Sequence, residues 1–403
     1  MPNKVQSIDL FAGCGGLTEG FAQTGKYDFV AGVEWDKPCC DTLRKRLHDK
    51  YGVKDSDSRV LHFDIQRTDE LINGWTDDQS FGSNKGLSNI VKNVDIIVGG
   101  PPCQAYSLAG RIRDKNGMRD DYRNYLFESY ARLVSYYKPK LFVFENVLGL
   151  LSAKPGGEPI VDKIRKTFDE IGYAIIPNLR DAVFDVADFG IPQHRRRLII
   201  LGVNKEFYSN YEEIINGFYA SMNSSKKSKK STVEEALAGL PEIHPGSDGE
   251  YVIDGHTDIT WHTPRNHSIR DQKIFSMLAE DIKSGENKYA NTDTLKELYY
   301  KVTGKKSNVH KYYVLRSNEP SNTIPAHLHK DGLRHIHPDP KQARSITVRE
   351  AARLQTFPDD FVFCGSRSDA YKMIGNAVPP MFAKIIANNI YKIIKEEKKE
   401  KEG

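Results

Sequence analysis

The 403-residue sequence predicts an α/β chain: a doubly wound, largely parallel sheet followed by a smaller, loop-rich domain. Three observations carry that expectation. Strand-like and helix-like patterns alternate through the first half. Several of the strand patterns are nearly continuous apolar runs, as strands covered on both faces are. The alternation then stops near Phe207, giving way to polar sequence rich in His, Asn, Lys, Thr and Tyr.

Strands are expected over residues 5–11, 28–34, 59–63, 94–98, 141–145, 173–179 and 197–203, with helices over 17–23, 39–50, 125–137 and 160–171. A sheet of six or seven strands follows. The run Ser224-Ser225-Lys226-Lys227-Ser228-Lys229-Lys230 reads as a solvated basic loop, and the sequence after it, to about residue 344, as a loop-built domain. Regularity returns at 347–355, and an apolar-periodic helix runs from 380 to about 395 before a charged tail. The expected division is 1–204, 205–345 and 346–403, the last segment packing back on the first. There is no internal repeat.

Composition bounds the function. With 58 basic against 54 acidic residues, the net +4 describes an ordinary enzyme surface and by itself announces no polyanion partner. The five cysteines (Cys14, Cys39, Cys40, Cys103, Cys364) lack ligand spacing, which argues against a metal site or a disulfide framework and for a reducing compartment. No signal peptide opens the chain, and no apolar run approaches the ~20 residues of a spanning helix. A soluble, cytoplasmic protein is expected.

In open α/β sheets, ligands gather beyond the carboxyl ends of the strands. The first strand leads into Asp9-Leu10-Phe11-Ala12-Gly13-Cys14-Gly15-Gly16-Leu17, a glycine turn that lets backbone N–H groups approach a ligand. It is not the dinucleotide fingerprint, whose third glycine would fall on Thr18. The second strand ends in Glu34-Trp35, a carboxylate for ribose hydroxyls and an indole for an adenine. The third runs into Asp64-Ile65, whose carboxylate suits an adenine amino group. A glycine turn alone is structural as often as not, but three successive strand ends with nucleoside-shaped contacts favour an adenosine-containing ligand such as S-adenosylmethionine over NAD.

The chemistry lies at the next two strand ends. One closes in Gly99-Gly100-Pro101-Pro102 before Cys103, and the other delivers Glu145-Asn146-Val147. A thiol and a carboxylate facing one crevice supply a nucleophile and a proton manager. Most isolated cysteines are inert buried thiols, and Cys14, inside the glycine turn, is read that way. The position of Cys103 opposite a strand-end carboxylate argues otherwise.

These residues, in this order, resemble the DNA cytosine methyltransferases that modify carbon 5. The glycine turn looks like that family's opening cofactor motif, with Glu34-Trp35 and Asp64-Ile65 as the second and third. Gly99-Gly100-Pro101-Pro102-Cys103-Gln104 resembles the nucleophile motif, and Glu145-Asn146-Val147 the acid/base motif. Gln193, Arg195 and Arg197 carry the glutamine–arginine–arginine pattern. Arg349-Glu350-Ala351-Ala352-Arg353-Leu354-Gln355 is similar to the late arginine–glutamate helix, and Gly375-Asn376-Ala377-Val378-Pro379-Pro380 to the final motif. Only residues 205–345 lack a counterpart, where the family places its variable target-recognition domain.

The resemblance implies a Rossmann-like S-adenosylmethionine-dependent methyltransferase domain that acts on double-stranded DNA. Cys103, Glu145, Arg195 and Arg197 would be catalytic, Arg195 supporting cytosine oxygen 2 and Arg197 bracing Glu145 or touching the same base. Asp9, Phe11, Gly13, Gly15, Gly16, Leu17, Glu34, Trp35, Asp64, Ile65, Pro102, Asn376 and Val378 would line the cofactor pocket. Gln104, Ser107, Arg111, Arg113, Gln193, Arg316, Thr323 and Ile324 would meet DNA, residues 105–123 forming a loop that closes over a flipped base. The compact layout resembles prokaryotic restriction–modification enzymes, so a monomer at the nucleoid, protecting host DNA from a separately encoded endonuclease, is the expectation. Three rivals fit less well. The RNA-acting branch carries a Cys-Phe-Thr signature, and no cysteine lies between Cys103 and Cys364. A non-catalytic relative would have lost Cys103 or Glu145. A nicotinamide-dependent oxidoreductase would need the missing third glycine.

Overall fold

An eight-stranded sheet organises the first half of this computed structural model, which describes residues 4–102, 126–255, 258–307 and 311–402. The strands are β1 (Val5–Leu10), β2 (Tyr27–Glu34), β3 (Val60–His62), β6 (Ile96–Gly99), β7 (Leu141–Val147), β8 (Tyr173–Ala174), β9 (Val183–Asp185) and β10 (Arg196–Asn204). A separate small hairpin pairs β4 (Trp75–Asp78) with β5 (Gly82–Asn84). The sheet order is β3-β2-β1-β6-β7-β10-β8, with β9 alongside β10. From β3 to β7 every pairing is parallel, and the order reverses between β1 and β6, the switch point where such sheets bind ligands. Leu141, Phe142, Val143 and Phe144 are fully buried, as a central strand covered on both faces must be.

The sheet departs from the expected pattern at one side. β10 runs antiparallel to β7, and β8 and β9 antiparallel to β10. This reversal sets the start of β10, and so Arg197, beside the carboxyl end of β7. The strand expected over 173–179 shrinks to two residues. Pro177 lacks a ladder donor, and the Asn178 side chain instead caps a turn at Leu179–Ala182 by accepting from Arg180 N.

The chain divides into two compact units. One comprises Met1–Phe189, Arg196–Lys227 and Ala377–Gly403; the other comprises Gly190–Arg195 and Ser228–Asn376. The boundaries differ from the sequence expectation in three places. Residues 205–227 belong to the sheet-bearing unit, through the helix Tyr211–Ser224. Residues 346–376 belong to the second unit, and so does the short segment 190–195.

The second unit is not built of loops alone. It holds helices at Ile269–Ser284 and Thr292–Thr303, whose apolar faces contribute Ile274, Phe275, Leu278, Ala279 and Leu298 to a core completed by Val314 and Ile336. Each helix carries its own stop signals: Ser268 and Asn291 accept from first-turn amides, and Gly285 and Gly304 end the helices in the left-handed region. A third helix, Val348–Leu354, opens on a capping box between Thr347 and Glu350. Glu350 also takes a bidentate pair from fully buried Arg344, at 2.7 Å to each carboxylate oxygen. Arg349, equally buried, donates to the carbonyls of Thr260, Pro358 and Phe361. No helix among the described residues is long and apolar enough to cross a membrane.

Burial pulls His267, His335 and His337 of this unit from 6.5 to about 4. Folded values below the ordinary one mean that the unfolded chain binds more protons in that window, so stability present above it is lost as pH falls from 6.5 toward 4. Urea unfolding followed at Trp261, with Trp35 and Trp75 changed to Phe, should show a lower midpoint at about pH 5 than at about pH 7.5. Replacing the three histidines by Gln should flatten that difference; a pH-independent midpoint in the parent protein would contradict the assignment.

Candidate active site

The turn after β1 is wound by positive φ at Phe11 (+58°), Gly13 (+55°) and Gly15 (+91°). At Gly13 the space where a Cβ would stand is open. Gly16 serves packing instead: a Cβ there would lie 2.4 Å from the Val378 carbonyl, so only glycine lets the helix Gly16–Ala22 meet the start of the helix Pro380–Glu402. Leu17 is buried in the same helix. Glu34, at the end of β2, accepts from Gly13 N and Asp36 N, both at 2.8 Å, and burial raises its pKa against those two bonds. Its carboxylate therefore holds the turn closed.

Beyond it Trp35 is 62% exposed, an unusual position for an indole, with the Phe81 ring edge-on at 5.8 Å. Phe81 comes from the turn of the β4–β5 hairpin, which sequence reading missed. Asp64 is half-buried and accepts from Gln66 N at 3.0 Å, with Ile65 buried next to it. An open glycine turn, a carboxylate, an exposed indole and a second carboxylate fit an adenosine-containing group. Asp9 does not belong to that surface. It is 2% exposed, accepts from the Thr18 hydroxyl at 2.6 Å, and burial raises its pKa to about 7. It fastens the helix beneath the turn. Cys14 is likewise buried, and burial pushes its thiol up, away from the reactive thiolate.

At the next two strand ends, β6 and β7 pair in register from Ile96↔Leu141 to Gly99↔Phe144. The residues that follow are Gly100 and Glu145. A Cβ on Gly100 would lie 2.6 Å from Glu145 Oε2, so the carboxylate rests against bare backbone. Asn146 ties the two ends by donating to the Pro101 carbonyl at 3.3 Å. Arg197 Nε, from β10, reaches Glu145 Oε1 at 2.9 Å, both side chains being about an eighth exposed. Burial lowers the Arg197 pKa, and the Glu145 charge opposes that shift. Cys103, Gln104, Ser107, Arg111, Arg113 and the rest of the expected closing loop lie outside the described residues; Pro102 is the last residue described before them.

Arg195 is separated from Arg197 by only one residue yet belongs to the other unit. Its guanidinium is 1% exposed and donates to the carbonyls of Ile324 (3.1 Å) and Gly375 (2.8 Å). Gln193 is fully buried, accepting from Ile324 N and donating to Gln355 Oε1. Through these bonds Arg195, Gln193 and buried Ile324 brace the second unit. Thr323 is exposed, but its hydroxyl donates to the His194 carbonyl at 2.6 Å. Arg316 is half-buried, donating to Val314 O with its guanidinium over the Tyr313 ring. Asn376 is exposed, whereas Val378 is buried.

Arg197→Gln would leave Glu145 without its cation in a largely desolvated position. Stability measured by urea unfolding should fall by roughly 2–4 kcal/mol; a change within about 0.5 kcal/mol would show that the pair is solvated and weak.

Comparison with known proteins places this geometry. Residues 5–392 match the profile of the C-5 cytosine-specific DNA methylase family. The type II methyltransferase M.Bpa9945I of Bacillus paralicheniformis is 35% identical over 96% of this chain and 98% of its own length. M.NgoFVII of Neisseria gonorrhoeae is 31% identical, covering 98% and 88%, and M1.HphI of Haemophilus parahaemolyticus 30%, covering 96% and 86%. Among solved structures, a prophage-encoded E. coli chain described as a DNA modification methyltransferase shares the fold with a TM-score of 0.65 at 24% identity, covering 97% of this chain and all of that one. With its glycine turn, paired strand ends and Glu145–Arg197 contact spanned by that profile, the chain belongs to the C-5 cytosine-specific DNA methylase family.

Proposed function

We propose that the chain transfers a methyl group to carbon 5 of a cytosine flipped out of duplex DNA, with Cys103 as nucleophile and Glu145 as the group that manages the ring proton. The observation that carries this reading is the Glu145 carboxylate at the joined ends of β6 and β7, charge-paired with Arg197 and set against Gly100, which stands two residues before Pro102 in the chain.

Carbon 5 of cytosine is too weak a nucleophile to be methylated unaided. A Cys103 thiolate adding to carbon 6 turns the ring into an enamine and divides one hard step into two. Glu145 holds or protonates ring nitrogen 3 while that bond forms, and Arg197 fixes the carboxylate or meets the same base. S-Adenosylmethionine supplies the electrophilic methyl group when bound; Gly13, Glu34, Trp35, Phe81 and Asp64 are the residues that would hold its adenosine. Carbon 5 forms the new C–C bond as the methyl carbon's bond to sulfur breaks and leaves a thioether. The carbon 5 proton then leaves to a base, the electron pair released expels the Cys103 thiolate from carbon 6, and any proton given to nitrogen 3 returns to Glu145.

Because the relatives named above are type II methyltransferases, the reading extends to one short DNA sequence as target and to protection of host DNA from a separately encoded endonuclease. Exposed Thr323, His327 and Lys330, with half-buried Arg316, are its candidates for contact with DNA. Expression in a host free of cytosine methylation, followed by mapping of 5-methylcytosine, should reveal methylation confined to one short motif. Cys103→Ser should abolish it while cofactor affinity persists, and Glu145→Gln should slow transfer by about 10²–10⁴. An unmodified genome, or turnover surviving in Cys103→Ser, would refute the assignment.

A further inference from the structure

Tyr130 stands outside every motif named above, yet its hydroxyl sits between the two strands that bear the proposed chemistry. It lies in the helix Leu126–Tyr137, the first described element after the segment that carries Cys103, and is fully buried. The hydroxyl is 2.9 Å from the Val143 carbonyl of β7 and 3.2 Å from the Ile97 carbonyl of β6, and its single proton is shared between them. Ile97 lies two residues before Gly99, where the pairing ends, and Val143 two residues before Glu145, which follows the last paired residue of β7. The ring edge packs beneath Gly99, 3.1 Å from where a Cβ would stand, and is held by the edges of Phe142 and Phe144 at 5.9 and 5.3 Å.

The ladder between β6 and β7 ends at Gly99↔Phe144. Pro101 and Pro102 have no N–H to extend it. The approach of the two chain ends is then left to a few ties: the Asn146–Pro101 bond above the ladder, and Tyr130 below it. We infer that Tyr130 is a positioning residue for methyl transfer. Its hydroxyl locks the end of β6, which leads into Gly100-Pro101-Pro102, against the end of β7, which carries Glu145. This inference rests on the function proposed above.

Tyr130→Phe keeps the ring and removes only the shared hydrogen bond. Tyr173 is the control: an equally buried tyrosine of the same sheet whose hydroxyl donates to the Pro139 carbonyl at 2.6 Å, ahead of the opposite end of β7. Single-turnover methyl transfer at saturating DNA and S-adenosylmethionine, cofactor dissociation constants and thermal unfolding would be measured for both variants. The expected result is a rate reduced about tenfold or more in Tyr130→Phe, with cofactor and DNA affinities within about twofold, whereas Tyr173→Phe loses thermal stability but keeps the rate. An unchanged rate in Tyr130→Phe, or one that falls only together with cofactor affinity, would reduce Tyr130 to a packing residue. An inactive parent protein would instead overturn the functional reading itself, and this inference with it.

Discussion

Glu145 has its place only because residue 100 has no side chain. Its Oε2 occupies the volume into which any Cβ at that position would project, 2.6 Å away. Parallel pairing of β6 with β7 makes this contact unavoidable, since the register that ends at Gly99↔Phe144 sets Gly100 opposite Glu145. The antiparallel return of β10 then brings Arg197 to the other carboxylate oxygen. A largely buried carboxyl group is costly unless it has a partner, and at the mouth of this hydrophobic sheet the Arg197 guanidinium supplies one. The crevice chemistry, the glycine-proline turn and the antiparallel edge of the sheet all follow from that one requirement.

The cofactor side obeys the same logic with different atoms. Glu34 ties the glycine turn through Gly13 N and its own strand end through Asp36 N, Asp9 anchors the helix beneath the turn through Thr18, and Gly16 and Gly20 let the helix Pro380–Glu402 come into backbone contact. What remains presented is the face of Trp35. In the second unit, Arg344, Arg349 and Glu350 form a buried polar core around the capped helix Val348–Leu354, and Gln193 and Arg195 are drawn into the same hydrogen-bonded framework. Buried arginines of this kind saturate backbone carbonyls that would otherwise be orphaned.

Much of this was legible in the sequence, for identifiable reasons. Strands β6, β7 and β10 are largely buried, and nearly continuous apolar runs mark them to within a residue or two, while β1 and β2 are buried as well but carry polar residues such as Gln6, Asp9 and Asp28. The motif residues at their ends follow from the same register. Less visible were elements whose stability comes from elsewhere. The helices Ile269–Ser284 and Thr292–Thr303 are polar outside and amphipathic inside, although Ser268, Gly285, Asn291 and Gly304 do mark their ends. The β4–β5 hairpin is too short to announce itself, and with it Phe81 went unseen. The separate fates of Arg195 and Arg197 had no local signal. Whether an arginine reaches a crevice or a carbonyl depends on partners far along the chain, here Ile324 and Gly375 for one and Glu145 for the other.

The proposed covalent bond from Cys103 to carbon 6 of the target cytosine can be trapped. Duplex DNA carrying 5-fluorocytosine at the methylated position leaves no proton to remove from carbon 5, so the thiol cannot be expelled after methyl transfer. Mass spectrometry of the denatured, proteolysed complex should find one adduct, dependent on S-adenosylmethionine and located on Cys103. An adduct on another residue, or none from a protein that methylates unmodified DNA, would contradict the mechanism.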